Sequence, residues 1–233
     1  MFAMPPRCSA VLSALALAMM SASSFAQEEA APLETIVVRG AYFGQALAEG
    51  VKTPTMLLNV PQSVSVMDGR QLREQAHVSV ADVMQYTPGV SVGQGEDHRD
   101  QLTIRGQNTT ADFFLDGLRD DVQYFRPLYN LERVEILRGA NALLFGRGGG
   151  GGVVNRVSKV PTASEAFTTL GANFDSFGAD GLALDLNRPL GKQGAFRLNA
   201  LADGDMRNHR DFKDGERLAL NPTLSWVTAD GTL

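Results

Sequence analysis

The segment with the most obvious ligand-binding spacing is the glycine run at residues 146–152. Gly146, Gly148 and Gly151 match G-x-G-x-x-G, the spacing that holds the pyrophosphate of a dinucleotide. That motif needs a helix directly after the glycines, because the helix N-terminus binds the phosphates. Here the strand-like residues 153–157 (VVNRV) follow at once, and no GK[ST] sequence marks a P-loop. The run therefore predicts unusual backbone angles and a close approach to other structure, not nucleotide binding.

Residues suited to metal binding or catalysis are few and scattered. Glu96, Asp97 and His98 offer three kinds of ligand, but neighbours in one loop rarely converge on one ion, so we predict no metal site. The three histidines stand at the scattered positions 77, 98 and 209, and His-Glu-x-x-His does not occur. The sequence predicts no catalytic residue, and an enzyme is the weakest functional reading.

The first 26 residues have the features of a secretory signal peptide. Arg7 is their only charge, an apolar stretch follows, and Ser24 and Ala26 provide small residues at the cleavage site. Cys8 lies inside this peptide, so the mature chain would have no cysteine for disulfides or thiolate chemistry.

Composition and charge are those of a folded, exported protein. The chain is 44% hydrophobic and 20% charged, with a net charge of −5 that becomes −6 when Arg7 is removed. This acidic balance, without a basic stripe, argues against nucleic acid as a partner. No segment after the signal peptide approaches the roughly 20 apolar residues of a membrane helix.

The last third of the chain, residues 162–233, alternates apolar and polar residues with a period of two. Leu182, Leu184 and Leu186 show it, and residues 196–203 and 218–227 repeat it. Strands of about ten residues with one apolar face are typical of transmembrane β-barrels, although a soluble antiparallel sheet gives the same alternation. Trp226 near a strand end suits an aromatic girdle at a membrane interface.

The middle of the chain predicts a domain that mixes helices and strands. Asp68 can cap a helix over residues 68–75, and Ser79 with Asp82 resembles a capping box for a helix that Pro88 ends. Asp116-Gly117 is a tight-turn signal. The predicted strands are residues 63–67, 102–105, 113–115, 134–137 and 153–157.

Four stretches of this middle domain, in order, carry a family resemblance. They are residues 60–92, 102–106 (LTIRG), 113–120 (FFLDGLRD) and 131–159 (LERVEILRGANALLFGRGGGGGVVNRVSK). Together they resemble the plug domain of TonB-dependent outer-membrane siderophore receptors. The resemblance implies an α+β plug domain over residues 56–161, followed by the first four antiparallel strands of a transmembrane β-barrel that has about 22 strands in full. The chain would then be the N-terminal part of a longer receptor, with the glycine run close to the barrel wall.

The leader at residues 27–55 contains a short β-prone run at residues 34–40 (ETIVVRG). Its position before a plug resembles the TonB box, the segment that pairs with the TonB-type energy-transducing protein. Strand addition to an exposed sheet edge would give the affinity. We expect this leader to be too short for the extra signalling domain found in some relatives, which favours transport alone. The resemblance assigns the box to Glu34, Thr35, Ile36, Val37 and Val38.

The resemblance also implies residue roles within the plug. Arg105 and Arg138, each followed by glycine, would meet glutamates of the barrel wall and anchor the plug. Ligand contacts would come from three loops, residues 94–100, 107–110 and 119–126, whose arginines suit an anionic ferric complex and whose aromatic rings suit its apolar parts. The implied ligand-binding residues are Gln94, Arg99, Gln107, Asn108, Arg119, Tyr124, Phe125 and Arg126.

The functional expectation is an energy-coupled receptor and transporter for ferric siderophores in the Gram-negative outer membrane. Its partners would be the ferric siderophore, the energy-transducing protein and outer-membrane lipid, with no cofactor. Two alternatives stay open: a plug-like binding module that does not transport, and a receptor of the same family for haem or cobalamin. The sequence does not decide between catecholate and hydroxamate siderophores.

Overall fold

The computed structural model describes residues 59–226 except 94, 110–111, 140–144, 147–149, 175, 177, 192 and 205–214. The signal peptide, the leader with its TonB box, Gln94 and the charged segment 205–214 therefore lie outside the described residues. What is described comprises a mixed α/β region followed by a four-stranded antiparallel sheet. This agrees with the predicted order of an α+β domain and then barrel-type strands.

Two short helices form where the capping signals predict them. Helix α1 (Gly69–Glu74) has Asp68 as N-cap, and the Asp68 side chain accepts from the amide of Gln71 at 2.8 Å. Helix α2 (Val80–Gln85) has a complete capping box between Ser79 and Asp82. Both predicted helices are confirmed. They begin at these residues because the capping side chains satisfy amides that the first helical turn leaves without partners. Within the described ranges no helix is long and apolar enough to cross a membrane.

The central sheet of the α/β region has five strands in the order β1-β7-β8-β5-β6. Strands β7 and β8 pair antiparallel, and β5 joins β8 in parallel. The turn between β5 and β6 places Asp116 and Gly117 at positive φ, as the tight-turn signal predicts. The strand bounds are β1 Ser63–Asp68, β5 Phe113–Leu115, β6 Leu118–Arg119, β7 Leu131–Arg138 and β8 Gly152–Ser158.

A smaller sheet contains β2 (Val90–Gly93), β3 (Gln101–Ile104) and β4 (Gln107–Thr109). The sequence predicts a loop at residues 107–110, but Gln107–Thr109 pair with β3. A helical turn, α3 (Gly95–His98), likewise occupies part of the loop predicted at residues 94–100. Both differences have the same reason. A segment of three or four polar residues has no apolar periodicity in its sequence that would indicate a strand or a helical turn.

The two faces of the central sheet are covered differently. One face packs against the helices and the small sheet through a core that includes Val83, Met84, Phe113 and Ile136. The other face has a smaller cluster around Phe114, whose ring meets that of Phe145 edge-on at 4.5 Å. Strand β8 supplies Val154 to the first cluster and Val153 to the second, and its β-branched residues are the reason that residues 153–157 read as strand-like.

The four-stranded sheet is an open antiparallel meander in the order β12-β11-β10-β9. A short turn with Gly191 at positive φ joins β10 to β11. The leucines of β12 point outward, and Leu218 is 84% exposed, whereas the intervening polar residues are half-buried. The bounds are β9 Phe167–Phe174, β10 Asp180–Pro189, β11 Gly194–Gly204 and β12 Arg217–Trp226.

Candidate functional site

Arg126 lies in the interior of the α/β region. Its side chain is only 1% exposed and forms ion pairs with Asp100 at 3.5 Å and Asp120 at 3.1 Å. The same guanidinium donates to the carbonyl oxygens of Tyr124 and Val122, and its Cζ lies 3.9 Å from the centre of the Phe113 ring. A guanidinium committed on every side cannot also contact an external ligand. The expected ligand contact of Arg126 is therefore replaced by a structural role, which its position in a polar loop did not reveal.

Arg126 belongs to a cluster that we call the arginine–aspartate cluster, made of Asp100, Asp120, Tyr124, Arg126 and Arg156. Asp100, Arg126 and Arg156 are buried, whereas Asp120 and Tyr124 are half-buried. Arg156 of β8 donates to Asp120, and the Tyr124 hydroxyl donates to the same carboxylate at 2.9 Å. The Arg126 amide donates to Asp100 at 2.9 Å. The cluster thereby fastens residues 120–126 to the central sheet and to the segment that precedes β3.

The two carboxylates of this cluster have opposite pKa shifts. Burial raises the pKa of Asp100 above its ordinary value, although the amide and guanidinium of Arg126 oppose that shift. Burial also acts to raise the pKa of Asp120, but there the Tyr124 hydroxyl and the guanidinium groups of Arg126 and Arg156 prevail and lower it. The Tyr124 hydroxyl and the two guanidinium groups therefore favour the ionised form of Asp120, whereas burial disfavours that of Asp100.

The other two predicted ligand arginines are paired with acids of their own segments. Arg99 contacts Glu96 at 2.6 Å, and its side chain is 10% exposed. Arg119, on β6, contacts Asp121 at 3.3 Å and lies over the ring of Phe114. The structure thus turns these guanidinium groups toward carboxylates of the protein.

The uncharged predicted ligand residues are more accessible. Gln107 and Asn108 are exposed on β4, where the Gln101 amide donates to the Asn108 side chain at 2.9 Å. Tyr124 and Phe125 are half-buried. Among the described residues no cluster of three or more histidine, cysteine or acidic side chains could hold a metal ion.

The predicted anchor residues Arg105 and Arg138 come together at one end of the sheets. A Cβ built on Gly139 would lie 2.9 Å from Nη1 of Arg105, so this guanidinium covers the glycine that follows Arg138. Arg138 donates to the Pro88 carbonyl oxygen at 2.7 Å and to the Ser65 hydroxyl at 2.9 Å. Burial, and then the nearby charge of Arg105, lower the pKa of Arg138. Within the described ranges neither arginine has an acidic partner, so two like charges adjoin without compensation.

The end of the glycine run packs against strands of its own domain. A Cβ at Gly151 would collide with the carbonyl oxygen of Ile104 in β3, and one at Gly152 would collide with that of Leu137 in β7. Gly151 also accepts a hydrogen bond from the amide of Gly139 at 2.9 Å. The close neighbours of these two glycines are therefore β3 and β7, and their approach to a barrel wall stays a prediction.

A polar junction joins the α/β region to the four-stranded sheet. Lys159 contacts Asp185 of β10 at 2.9 Å, and Arg197 of β11 makes two bonds of 2.8 Å to the same carboxylate. Arg197 also donates to the Val160 carbonyl oxygen, and buried Asn187 donates to the Thr162 carbonyl oxygen at 2.8 Å. These residues were not predicted as functional. The only sign of them in the sequence is that acidic, amide and basic residues occupy the polar positions of strands in which apolar and polar residues alternate.

The comparisons with known proteins agree with this architecture. Residues 57–153 match the family model described as the TonB-dependent Receptor Plug Domain. The chain is 32% identical to a probable TonB-dependent receptor of Bordetella pertussis, over 95% of this chain and 30% of that protein. It is 32% identical to a ferrichrome outer membrane transporter and phage receptor of Escherichia coli K12, over 91% of this chain and 29% of that protein.

A solved structure has the same fold over most of the chain. The ferric-catecholate import receptor of Escherichia coli K12, in its open form, aligns with a TM-score of 0.70 and 25% identity, covering 79% of this chain and 27% of that chain. The chain thus spans about 30% of the length of the curated relatives it matches.

Proposed function

Residues 57–153 form a plug domain of the TonB-dependent receptor family, and from that premise we propose that the chain is part of an energy-coupled outer-membrane receptor for ferric siderophores. The plug would close the pore of the receptor and carry part of the ligand site. Residues 162–233 would begin the barrel that crosses the outer membrane.

The observation that carries this proposal is the orientation of the four-stranded sheet around the plug. The leucines of β12 point outward, with Leu220 and Leu224 more than 60% exposed, while Asn199 and Arg197 of β11 face inward and are buried. A soluble sheet would bury the leucines and expose the polar face. The reverse arrangement suits a strand whose outer face meets lipid and whose inner face meets a polar plug.

Energy coupling would depend on the TonB box at residues 34–38. Its β-branched residues can add as a strand to the sheet edge of a TonB-type protein. We propose Arg105 and Arg138 as the residues that hold the plug to the barrel, because two adjoining guanidinium groups need acidic partners that the described residues do not supply.

We propose that six residues of the predicted set recognise the ligand. We retain Gln94, Gln107, Asn108, Arg119, Tyr124 and Phe125 as ligand residues and assign Arg99 and Arg126 to the support of their loops. The similarity to a ferrichrome transporter and to a ferric-catecholate import receptor supports a ferric siderophore as the class of substrate.

The decisive experiment measures binding and uptake separately. The intact receptor would be expressed in a Gram-negative strain without siderophore receptors of its own, and radioactive iron would be supplied as ferric siderophore. We expect surface binding in all conditions and accumulation only while the proton-motive force is intact. Binding without accumulation would identify a non-transporting module, and haem or cobalamin uptake in place of iron would identify a different substrate.

A further inference from the structure

The three segments proposed to face the ligand, residues 94–100, 107–110 and 119–126, carry an excess of negative charge. They contain three guanidinium groups and five carboxylates, so with His98 neutral the excess is two negative charges. Adding the neighbouring Arg156 of the arginine–aspartate cluster still leaves one. The carboxylates belong to Glu96, Asp97, Asp100, Asp120 and Asp121.

Every arginine in these segments is neutralised by a protein carboxylate. Arg99 pairs with Glu96 at 2.6 Å, and Arg119 pairs with Asp121 at 3.3 Å. Arg126 lies between two aspartates of the arginine–aspartate cluster. Releasing any of these guanidinium groups toward an anion would leave its present carboxylate without a partner, which is costly where the pair is buried.

The acids of the two surface pairs lie farther out than the bases. The side chain of Glu96 is 65% exposed against 10% for Arg99, and that of Asp121 is 49% exposed against 25% for Arg119. An approaching molecule would therefore meet carboxylate oxygens before it met guanidinium groups. Such a surface repels anions and slows their association.

We propose that this plug selects ferric complexes without net negative charge, such as a ferric trihydroxamate, and disfavours the trianionic ferric tris-catecholates. The inference rests on the proposed function and specifies its substrate. Three hydroxamate anions neutralise Fe³⁺, whereas three doubly charged catecholates leave three negative charges on the complex. Recognition would use the exposed amides of Gln107 and Asn108 and the rings of Tyr124 and Phe125. This reverses the expectation that the loop arginines favour an anionic ligand.

The test compares a neutral ferric trihydroxamate with a ferric tris-catecholate on the intact, purified receptor. Calorimetry should give at least tenfold tighter binding of the neutral complex, and raising the salt concentration should improve only the catecholate, because screening weakens repulsion. The double variant Glu96→Gln/Asp121→Asn should strengthen catecholate binding at least threefold and leave the trihydroxamate unchanged. Glu74→Gln, an exposed acid on α1, serves as the matched control.

The possible failures are distinguishable. Tighter binding of the trianionic complex by the unaltered receptor would overturn the charge inference and leave the proposed function intact. An unchanged catecholate affinity in the double variant would also overturn it, since the outer carboxylates would then play no part. A folded receptor that bound neither ferric complex would overturn the proposed function and this inference with it.

Discussion

The Nζ of Lys159 lies 2.9 Å from Oδ2 of Asp185, which links the segment after the last plug strand to the second strand of the four-stranded sheet. Both side chains are largely buried, at 11% and 14% exposure. Burial lowers the pKa of Lys159, although the Asp185 carboxylate opposes that shift. Since Arg197 shares this carboxylate, Asp185 is the common acceptor of two cations from two parts of the chain.

This arrangement predicts unequal costs for the two partners. Asp185→Ala leaves two buried cations without their shared acid and should lower the free energy of unfolding by about 3–5 kcal/mol. Lys159→Met keeps the Arg197 pair and the apolar packing of the lysine stem, so about 1 kcal/mol is expected. Denaturant unfolding of the intact receptor measures both. Equal losses would show that Asp185 does not act as a shared acceptor.

The arginine–aspartate cluster predicts a pH-dependent effect of Asp120→Asn. Because the pKa of Asp120 is lowered, its carboxylate stabilises the fold at pH values above its ordinary pKa, near 3.8. This contribution is lost as the pH falls through the pKa that Asp120 has in the folded protein. At neutral pH the variant should lose about 1–3 kcal/mol, and the loss should shrink in acid.

Asp100→Asn is the matched control for that prediction. The pKa of Asp100 is raised, so its ionisation weakens the fold as the pH rises from the unfolded value through the folded one. This variant should therefore lose less than Asp120→Asn at neutral pH. The hydrogen-exchange protection of the β5 and β8 amides measures the loss of stability in both variants. If Asp100→Asn proved the more damaging, the division of roles between the two aspartates would be wrong.

Removing either anchor arginine should loosen the plug. Arg105→Ala or Arg138→Ala would remove the partner of a barrel acid, at a cost on the order of 3–5 kcal/mol if the pairs are buried. Arg138→Ala should be the worse variant, because its guanidinium also binds the Pro88 carbonyl and the Ser65 hydroxyl. Protease protection of β1 measures the effect, with the exposed Arg70→Ala as control. Wild-type protection in both variants would mark the two arginines as surface charges.

The proposed TonB box predicts a separation of binding from uptake. Ile36→Pro removes a main-chain donor and fixes φ, so the segment can no longer add as a strand. Ferric siderophore should still bind while iron accumulation falls to background. Ala46→Pro, in the leader but outside the box, should transport normally. Undiminished uptake by Ile36→Pro would place energy coupling elsewhere.

The outward leucines predict sensitivity to charge in a membrane. Leu220→Arg should cost about 2–4 kcal/mol if this face meets the middle of a bilayer, and should reduce the receptor recovered in outer membranes. Leu118→Arg, an equally exposed leucine on the plug, should leave that yield unchanged. Equal tolerance of both substitutions would indicate a sheet in water.

Local features of the sequence determined the caps, the turns and the strand alternation. Asp68 and Ser79 cap their helices through residues three positions away, and Asp116-Gly117 makes its own turn, so a few neighbouring residues suffice. The period of two likewise follows from strand geometry alone. What the alternation could not decide is which face is covered, since that depends on what lies against the sheet.

Tertiary structure alone decided the partners of the charges. Arg126 and Asp100 are 26 positions apart, and Lys159 meets Asp185 across the same distance in sequence. A guanidinium in a polar loop has the same local signature whether it faces a ligand or a buried aspartate. Only the fold brings the carboxylates to the arginines, because Coulomb attraction and desolvation depend on distance in space and not on separation along the chain.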